Sequence, residues 1–346
     1  MVKFTILAGG FAQFVATYLF DSEAGSLNLV KENPTGKNPS WIASHPENSS
    51  ILYAVNEVSP IGSLQSFVID SEGGLSLVDT ISTEGNGPTF ANPLTSGEVT
   101  AMNVRVFHTI PTNSGDSLRF LRPAPVVNFP VGNGPSNPHM SLEHEGEVFV
   151  PDLGGDKIWR LVRDGAPGNF KIQGQINVDV GSGPRHIAIH GTTTIMLSHL
   201  HNILFIVSET VSTLTAMEIP PAPNGTALPL IANISTIPSN SLNAKFAAAE
   251  ILISTPTSQF PDPLIYVSNR NLGPKFDPRG DTIAIFELKT TSRKTTTNYN
   301  SVNRKKDVET LSRGSSNSSL GFAAFSRCSG VYGSQADPEH EPWAGH

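Results

Sequence analysis

The chain has 346 residues, of which 38% are hydrophobic and only 15% are charged, so it holds ample apolar material for a core. Its 23 Lys and Arg against 30 Asp and Glu give a net charge of −7, which excludes a globally basic surface for nucleic acid. The single cysteine, Cys328, excludes an intramolecular disulfide framework. The 30 glycines and 27 prolines punctuate short β-rich runs and favour an all-β protein with many tight turns.

The N-terminal residues do not form a convincing leader or membrane segment. Residues 4–8 follow Lys3 and could open a signal peptide, but Gly9, Gly10 and Gln13 interrupt the apolar run. No stretch reaches the ~18 apolar residues that a membrane helix needs. We therefore expect a cytoplasmic protein without a membrane partner.

One short phrase recurs along the chain and marks a repeated unit. Its fullest form is GPRHIAIH at residues 183–190, where Gly and Pro set a turn and the following apolar residues fall at period two. Weaker copies occupy residues 38–46, 87–90 and 137–144. The residue directly after the proline changes from copy to copy, as Ser40, Thr89, His139 and Arg185. Because the same position of the repeat carries a different side chain in each copy, we expect a site that is assembled from successive repeats.

Each phrase precedes a second, more apolar strand with a polar end. We align these ends as Glu57, Asn103, Asp152, Glu209 and Asn269. A third strand follows in most units and often a fourth, and four strands in about fifty residues are typical of a β-propeller blade. Five such units lie between residues 38 and 288 and a partial one at residues 3–30, which predicts about six blades. A solenoid is the alternative, although its repeats are usually shorter.

The polar strand ends are expected near one mouth of the central channel, together with the post-proline residues. For Glu57, Asn103 and Asp152 the simpler interpretation is that they cap turns. Asp152 in particular opens the sequence DLGGDK, which is typical of a hairpin turn.

The chain changes character after residue 288. Residues 289–313 are rich in Thr, Ser, Asn, Lys and Arg, and residues 314–346 are rich in Ser and Gly. We therefore divide the chain into a propeller at residues 1–288 and a polar, disordered segment at residues 289–346. Its basic character is that of a solvated tail rather than of a nucleic-acid partner.

Several of these phrases, taken together and in order, resemble the lactonase family of seven-bladed β-propellers. The residues that carry the resemblance are NPSW at 38–41, LYAVNE at 52–57, PH at 138–139, VPDLG at 150–154, GPRH at 183–186 and VSNR at 267–270. The family includes propeller-type 6-phosphogluconolactonases and the fungal 3-carboxy-cis,cis-muconate cyclase. The resemblance covers residues 1 to about 288, and the polar segment stands where family members continue for about another blade and a half.

The resemblance implies four site residues. His139 and Glu209 are expected to be catalytic, and Arg185 and Arg270 are expected to bind the substrate. Guanidinium forks suit a carboxylate or a phosphate, and an imidazole exchanges protons near neutral pH. The alternative for each arginine is a salt bridge with a strand-end carboxylate. His186 and His190 are interpreted as structural histidines of the following strand.

Two reactions fit these residues. The first expectation is cyclisation of a carboxylated muconate, in which a substrate carboxylate attacks its own alkene. The alternative is hydrolysis of a sugar lactone such as 6-phosphogluconolactone, and a third hypothesis is a non-catalytic binding platform. Neither reaction needs a cofactor or a metal, and the ten histidines show no ligand-spaced cluster. The expected partner is a small carboxylated or phosphorylated substrate, and the oligomeric state is open.

Overall fold

The chain forms β-strands joined by turns in a computed structural model. The structure describes residues 2–103, 106–113, 116–130, 135–166, 168–191, 202–224, 229–239, 241, 244–258, 262–272, 276–278, 280–293 and 296–311. These ranges contain 24 strands, which confirms the all-β prediction. No helix long and apolar enough to cross a membrane occurs within them.

The strands form six antiparallel sheets in chain order. The first sheet holds β1 (Lys3–Ala8), β2 (Phe14–Asp21) and β3 (Ser26–Pro34). The second holds β4 (Ile42–Ser44), β5 (Ile51–Asn56), β6 (Ser63–Ile69) and β7 (Leu75–Ser82). The third holds β8 (Phe90–Pro93), β9 (Glu98–Asn103), β10 (Val106–Asn113), β11 (Asp116–Phe120) and β12 (Val126–Asn128). The fourth and fifth hold β13 (Leu142–His144), β14 (Glu147–Asp152), β15 (Lys157–Arg163) and β16 (Phe170–Asn177); and β17 (Pro184–His190), β18 (Ile203–Ser208), β19 (Thr213–Glu218) and β20 (Ala232–Ser235). The sixth holds β21 (Lys245–Ile253), β22 (Leu264–Leu272), β23 (Asp281–Arg293) and β24 (Thr296–Leu311).

The first strands of the later sheets meet at a common edge. β4 contacts β8, β13 contacts β17, and β17 contacts β21. The remaining strands of each sheet follow outward from this edge, and only the third sheet departs from chain order because β11 and β12 both pair with β10. This is the arrangement of propeller blades around a centre. The predicted β-propeller of mostly four-stranded blades is confirmed, with six sheets in the described part of the chain.

The second strands are buried on both faces. Every residue of β5 and β18 is buried, and β14 is buried from its second residue onward. Continuous apolar runs of this kind are expected where a strand is covered by neighbours on both sides. Consecutive sheets supply this cover: Phe205 and Val207 of the fifth sheet pack with Ile265 and Phe286 of the sixth.

The C-terminal boundary differs from the one expected from sequence. β23 continues past residue 288 to Arg293, and it pairs along its length with β24, which ends at Leu311. Residues 289–293 and 296–311 therefore belong to the sixth sheet. Alternating apolar residues are sparse here, because an outer strand needs few buried side chains. Residues 312–346 lie outside the described residues.

Candidate active site

Two positions of the repeated unit bring polar side chains to the common edge. One is the residue after the turn proline. The other is the residue that follows the last pairing between the second and third strands of a sheet. That last pairing is Asn56–Ser63, Asp152–Lys157, Ser208–Thr213 or Asn269–Thr282 in the second, fourth, fifth and sixth sheets. The second position therefore holds Glu57, Leu153, Glu209 and Arg270.

Backbone hydrogen bonds tie the two positions together. The amide N–H of Glu57 donates to the carbonyl of Asn38 at 3.0 Å, and that of Glu209 donates to the carbonyl of Gly183 at 2.8 Å. Leu153 makes the same bond to Asn137 at 3.0 Å. Each turn phrase is thus held against the end of the strand that follows it, which explains why residues from two separated motifs converge.

The observed register corrects the predicted alignment of strand ends by one residue at Asp152 and Asn269. A shift of one residue turns a side chain to the other face of a strand. Asp152 accepts a hydrogen bond from the amide N–H of Gly155 at 2.9 Å, so its predicted role in the turn is confirmed, and it also accepts from the backbone of Asn137 at 2.6 Å and from Trp159 Nε1 at 2.9 Å. Asn269 is buried and donates to the carbonyl of Thr236 at 2.9 Å.

Arg185, Glu209 and Arg270 form one ionic cluster. Arg185 Nε lies 2.9 Å from Glu209 Oε2, and Arg270 Nη2 lies 2.8 Å from the same oxygen. Arg185 Nη1 also donates to the carbonyl of Ala249 at 2.7 Å. The salt-bridge alternative is therefore observed for both arginines, whereas their binding of a substrate stays a prediction. Two guanidinium groups share one carboxylate, so one positive charge is left over within this cluster.

Arg185 is the more enclosed of the two arginines. Burial and, after it, the nearby charge of Arg270 lower the pKa of the Arg185 guanidinium to about 10. Only 15% of the Arg185 side chain is exposed, against 37% for Arg270. Arg270 is therefore the arginine that reaches solvent, and Arg185 is the one enclosed beside it.

Glu57 also belongs to this region, contrary to the expectation that it only caps a turn. Burial raises the pKa of its carboxyl group, and this rise is opposed by a hydrogen bond with Ser40 and by the charge of Arg185. Ser40 is a post-proline residue, so the second sheet contributes both of its repeated positions. The side chain of Asn103, the third residue of that expectation, lies outside the described residues.

Three titratable side chains, those of His139, His186 and Glu250, form a row near the arginines. His139 Nδ1 is 3.0 Å from His186 Nε2, and His186 Nδ1 is 2.6 Å from Glu250 Oε2. His139 is half-buried, whereas His186 is 1% exposed and Glu250 is 6% exposed. The three residues come from three consecutive sheets, since His139 precedes β13, His186 is on β17 and Glu250 is on β21.

Burial and cations keep both imidazoles neutral. Burial first, and then the charge of Arg185, lower the pKa of His139 and of His186 well below the usual value. The His186 ring is enclosed by aromatic edges, with its centroid 5.5 Å from Trp41 and 5.6 Å from Phe90. Burial raises the pKa of the Glu250 carboxyl group to about 8, although Arg185 opposes the rise.

Two strand irregularities make this arrangement possible. The pairing of β17 with β18 shifts between Pro184 and His186, and the pairing of β21 with β22 shifts between Ala248 and Ile251. Adjacent side chains of a regular strand point to opposite faces, and a bulge re-aims them. Arg185 and His186 can therefore both contact the site although they are neighbours in sequence.

The structure brings together all four predicted site residues, His139, Arg185, Glu209 and Arg270, and adds His186 and Glu250. His186 is buried, as expected for a structural histidine, but both of its ring nitrogens face titratable groups. Glu250 carried a usable signal in the sequence. It is a lone acidic residue inside the apolar run AAAEILI, and a buried charge is far more informative than a buried Leu.

A second concave region lies away from these residues. A cavity of about 260 Å³ is lined by His144, Glu147, Arg160 and Pro220, among others. Arg160 is 3% exposed, is ion-paired with Glu147 and donates to the carbonyl of Pro220 at 2.7 Å. Its charge is already neutralised, so this cavity offers no cation to an anionic ligand. No group of three metal-ligating side chains occurs in the described ranges.

Comparisons with known proteins place this geometry in a family. The model of the seven-bladed β-propeller lactonases matches residues 5–305. Among curated proteins, the chain is 25% identical over 271 residues to a protein of Arthroderma benhamiae named "Probable 6-phosphogluconolactonase", covering 76% of this chain and 65% of that protein. It is 26% identical over 206 residues to the uncharacterized protein SSP0869 of Staphylococcus saprophyticus, covering 55% of this chain and 57% of that protein. The chain thus spans less than two thirds of the length of these relatives.

Solved structures share the fold. A Lactobacillus plantarum protein is 20% identical with a TM-score of 0.67, covering 88% of this chain and 82% of that chain. A proposed 6-phosphogluconolactonase of Bacteroides fragilis is 20% identical with a TM-score of 0.68, covering 89% and 82%. The family match extends over most of the sequence and includes every residue of the cluster described above. The chain therefore belongs to the seven-bladed β-propeller lactonase family.

Proposed function

We propose that this protein hydrolyses the lactone of a phosphorylated sugar acid, as a 6-phosphogluconolactonase does. The observation that carries the proposal is the pair of guanidinium groups that share the single carboxylate of Glu209 beside a neutral imidazole. The two guanidinium groups offer positive charge to an anionic substrate, with Glu57 as a further carboxylate near Arg185, and the imidazole offers one base for water. The name of the Arthroderma benhamiae relative supports hydrolysis, which we had placed second to muconate cyclisation.

Hydrolysis assigns a role to each residue. The exposed Arg270 binds the substrate phosphate, since an arginine fork matches phosphate geometry. Arg185 lies deeper and stabilises the negative charge that develops on the carbonyl oxygen during attack. Glu209 holds both guanidinium groups in place, which is a positioning role instead of the catalytic role that the family resemblance implies.

His139 activates the attacking water. With Nδ1 turned to His186, its other ring nitrogen, Nε2, accepts a proton from water as the oxygen attacks the lactone carbonyl. The ring C–O bond then breaks, and the same proton goes to the departing alkoxide. The product is an open-chain acid with a free hydroxyl group, and the enzyme returns to its starting state.

The test is acid release from 6-phosphoglucono-δ-lactone by the purified full chain, above the spontaneous rate. Glucono-δ-lactone and 3-carboxy-cis,cis-muconate are measured in parallel, the latter by loss of its diene absorbance. His139→Gln should reduce hydrolysis by about 10²-fold or more. His45→Gln is the matched control, because His45 Nδ1 accepts the amide N–H groups of Glu47 and Asn48, both at 3.1 Å, rather than contacting the cluster.

Each possible result supports one of the three functional hypotheses. Faster turnover of the phosphorylated than of the unphosphorylated lactone supports the proposal. Loss of muconate absorbance without lactone hydrolysis would reinstate cyclisation. If a cooperatively folded protein acts on none of the three compounds, the binding-platform hypothesis replaces both reactions.

A further inference from the structure

The hydrolysis described above assigns no step to Glu250 or His186. Both are buried titratable side chains, and both lie in the same row of contacts as His139. We infer that Glu250, His186 and His139 form a proton relay, in which the proton that His139 takes from water is stored on the carboxylate of Glu250. This inference rests on the proposed hydrolysis for its catalytic meaning. The relay itself is a property of three side chains and can be tested without turnover.

An isolated histidine would be a poor base at this place. Burial opposes a positive charge on His139 most strongly, and the charges of Arg185 and Arg270 add to this effect. A proton accepted at Nε2 would create an imidazolium next to two guanidinium groups. The buried His186, 3.0 Å away, cannot carry that charge either, because the same arginines oppose it. The proton must therefore leave the imidazoles for the base to work well.

The contacts provide the route. Water gives a proton to His139 Nε2 while His139 Nδ1–H passes its proton to His186 Nε2. His186 Nδ1–H passes its own proton to Glu250 Oε2, 2.6 Å away, after a turn of the ring that aligns the N–H with this oxygen, because the observed contact lacks hydrogen-bond geometry. Three protons move by one bond each, both rings end neutral, and Glu250 ends as a carboxylic acid. The reverse sequence returns the proton through His139 to the alkoxide of the opened lactone.

Glu250 is suited to receive the proton. It is enclosed, and its carboxyl group has the pKa of about 8 given above, so it is a stronger base than an exposed carboxylate. Its other oxygen, Oε1, accepts the amide N–H of Ile251 at 3.0 Å, which fixes the direction of the group. The charged groups that act on the two histidines are Arg185 and Arg270, and Arg185 in turn interacts with the carboxylates of Glu209 and Glu57.

The relay predicts two coupled tautomeric states. When Glu250 is ionised, both histidines carry their proton on Nδ1, and His139 Nε2 is a free base. When Glu250 is protonated, both rings carry it on Nε2, and His139 becomes a proton donor. Because the Glu250 pKa is raised, the donor state persists up to about pH 8, and the base state takes over above it.

The direct test is nitrogen NMR of the full chain labelled with 15N-histidine, since the two neutral tautomers and the imidazolium have distinct ring-nitrogen shifts. Loss of signals in His139→Gln and His186→Gln assigns the two rings. Both tautomers should switch with one midpoint near pH 8 in the wild type. In Glu250→Gln the switch should be absent, while Glu32→Gln, an exposed change on β3, should leave it intact.

Activity supplies the second readout. The kcat for lactone hydrolysis should rise with pH to a plateau above about 8, and Glu250→Gln should lose this limb together with about 10²-fold in kcat at unchanged KM. Glu250→Asp, which keeps the carboxylate, should restore part of the limb. The relay would be overturned if the pH-dependent change of the His139 tautomer persisted in Glu250→Gln. It would also be overturned if either ring were an imidazolium near neutral pH. A relay seen by NMR in a chain without lactonase activity would reject only the proposed function.

Discussion

Arg185 and Arg270 share the carboxylate of Glu209 but differ in what else holds them. Arg185 is enclosed and donates a hydrogen bond to the carbonyl of Ala249. Arg270 is more exposed, with 37% of its side chain accessible against 15% for Arg185. An enclosed arginine with a backbone hydrogen bond supports the fold as well as the site, whereas the more exposed arginine is the one that a ligand can reach.

This difference predicts separate effects for two substitutions. Arg270→Gln should raise the KM for 6-phosphoglucono-δ-lactone by about tenfold or more and leave the KM for glucono-δ-lactone nearly unchanged, with little change in Tm. Arg185→Gln should lower kcat for both lactones and cost roughly 1–3 kcal/mol of stability, because the Ala249 carbonyl loses its buried donor. Kinetics with both lactones and thermal melts measure these effects.

Arg122 provides the control for a change of charge alone. It pairs with Asp79 at 3.0 Å and is half-exposed, away from the site. Arg122→Gln should therefore alter neither KM. An equal rise in KM for both lactones in Arg270→Gln would contradict the assignment of Arg270 to the phosphate.

At this scale the sequence predicts residue types better than their partners. His139, Arg185, Glu209 and Arg270 are implied by the family resemblance that their motifs carry, and they lie close together in the structure. The link from His186 to Glu250 could not be predicted, because it joins strands from two sheets and depends on bulges that sequence periodicity does not reveal. Sequence periodicity correctly predicts that His186 is buried, but it does not predict that the carboxylate of Glu250 lies beside it.

The turn before β17 is the element that sets the site geometry. Gly183 has a φ of 64°, its amide N–H donates to Asp156 at 2.9 Å, and its carbonyl accepts the amide N–H of Glu209. It therefore fixes Glu209 directly and Arg185 two residues later. A Cβ atom added at this glycine would lie 2.4 Å from Thr210 Oγ1, so the position tolerates no side chain without movement.

Gly183→Ala should accordingly damage both stability and activity. The left-handed backbone costs a non-glycine residue of order 1 kcal/mol, and the contact with Thr210 adds to it. We expect a drop in Tm together with a fall in kcat/KM of at least tenfold, because Arg185 and Glu209 shift against each other.

Gly146→Ala is the matched comparison. Gly146 has a φ of 81°, and nothing lies within 4 Å of an added Cβ atom. It lies in the turn between β13 and β14 and should lose some stability but no activity. Equal activity losses in both variants would show that left-handed strain, rather than displacement of the site, is responsible.

The whole molecule repeats one sheet pattern while the chemistry changes at two positions. Strand order and blade number follow from the recurring turn phrase and the apolar second strands, both of which sequence periodicity shows. The outer strand β24 was missed, because an edge strand buries few side chains and its polar sequence resembles a tail. The strand-end alignment was wrong by one residue at Asp152 and Asn269, since polar residues occur on both sides of the point where the strand pairing closes.

The charge of the whole molecule opposes that of its site. The net charge is −7, whereas the arginine cluster leaves one positive charge. A domain of this size has a radius of about 20 Å. At about 0.01 M salt, where the Debye length is about 30 Å, the net charge repels a phosphorylated lactone by about 1–2 kcal/mol. At about 0.15 M the Debye length is about 8 Å and little of this repulsion remains.

Salt should therefore accelerate capture of the anionic substrate, the opposite of what a cationic surface would give. We expect kcat/KM for 6-phosphoglucono-δ-lactone to rise severalfold as NaCl increases from about 0.01 to about 0.15 M, because short-range contacts with buried arginines are screened much less than the distant charges. Uncharged glucono-δ-lactone, assayed in the same solutions, should show no change. A fall in kcat/KM for the phosphorylated lactone over this range would mean that the field of Arg185 and Arg270 extends into solvent and outweighs the net charge at the distance where substrate is captured.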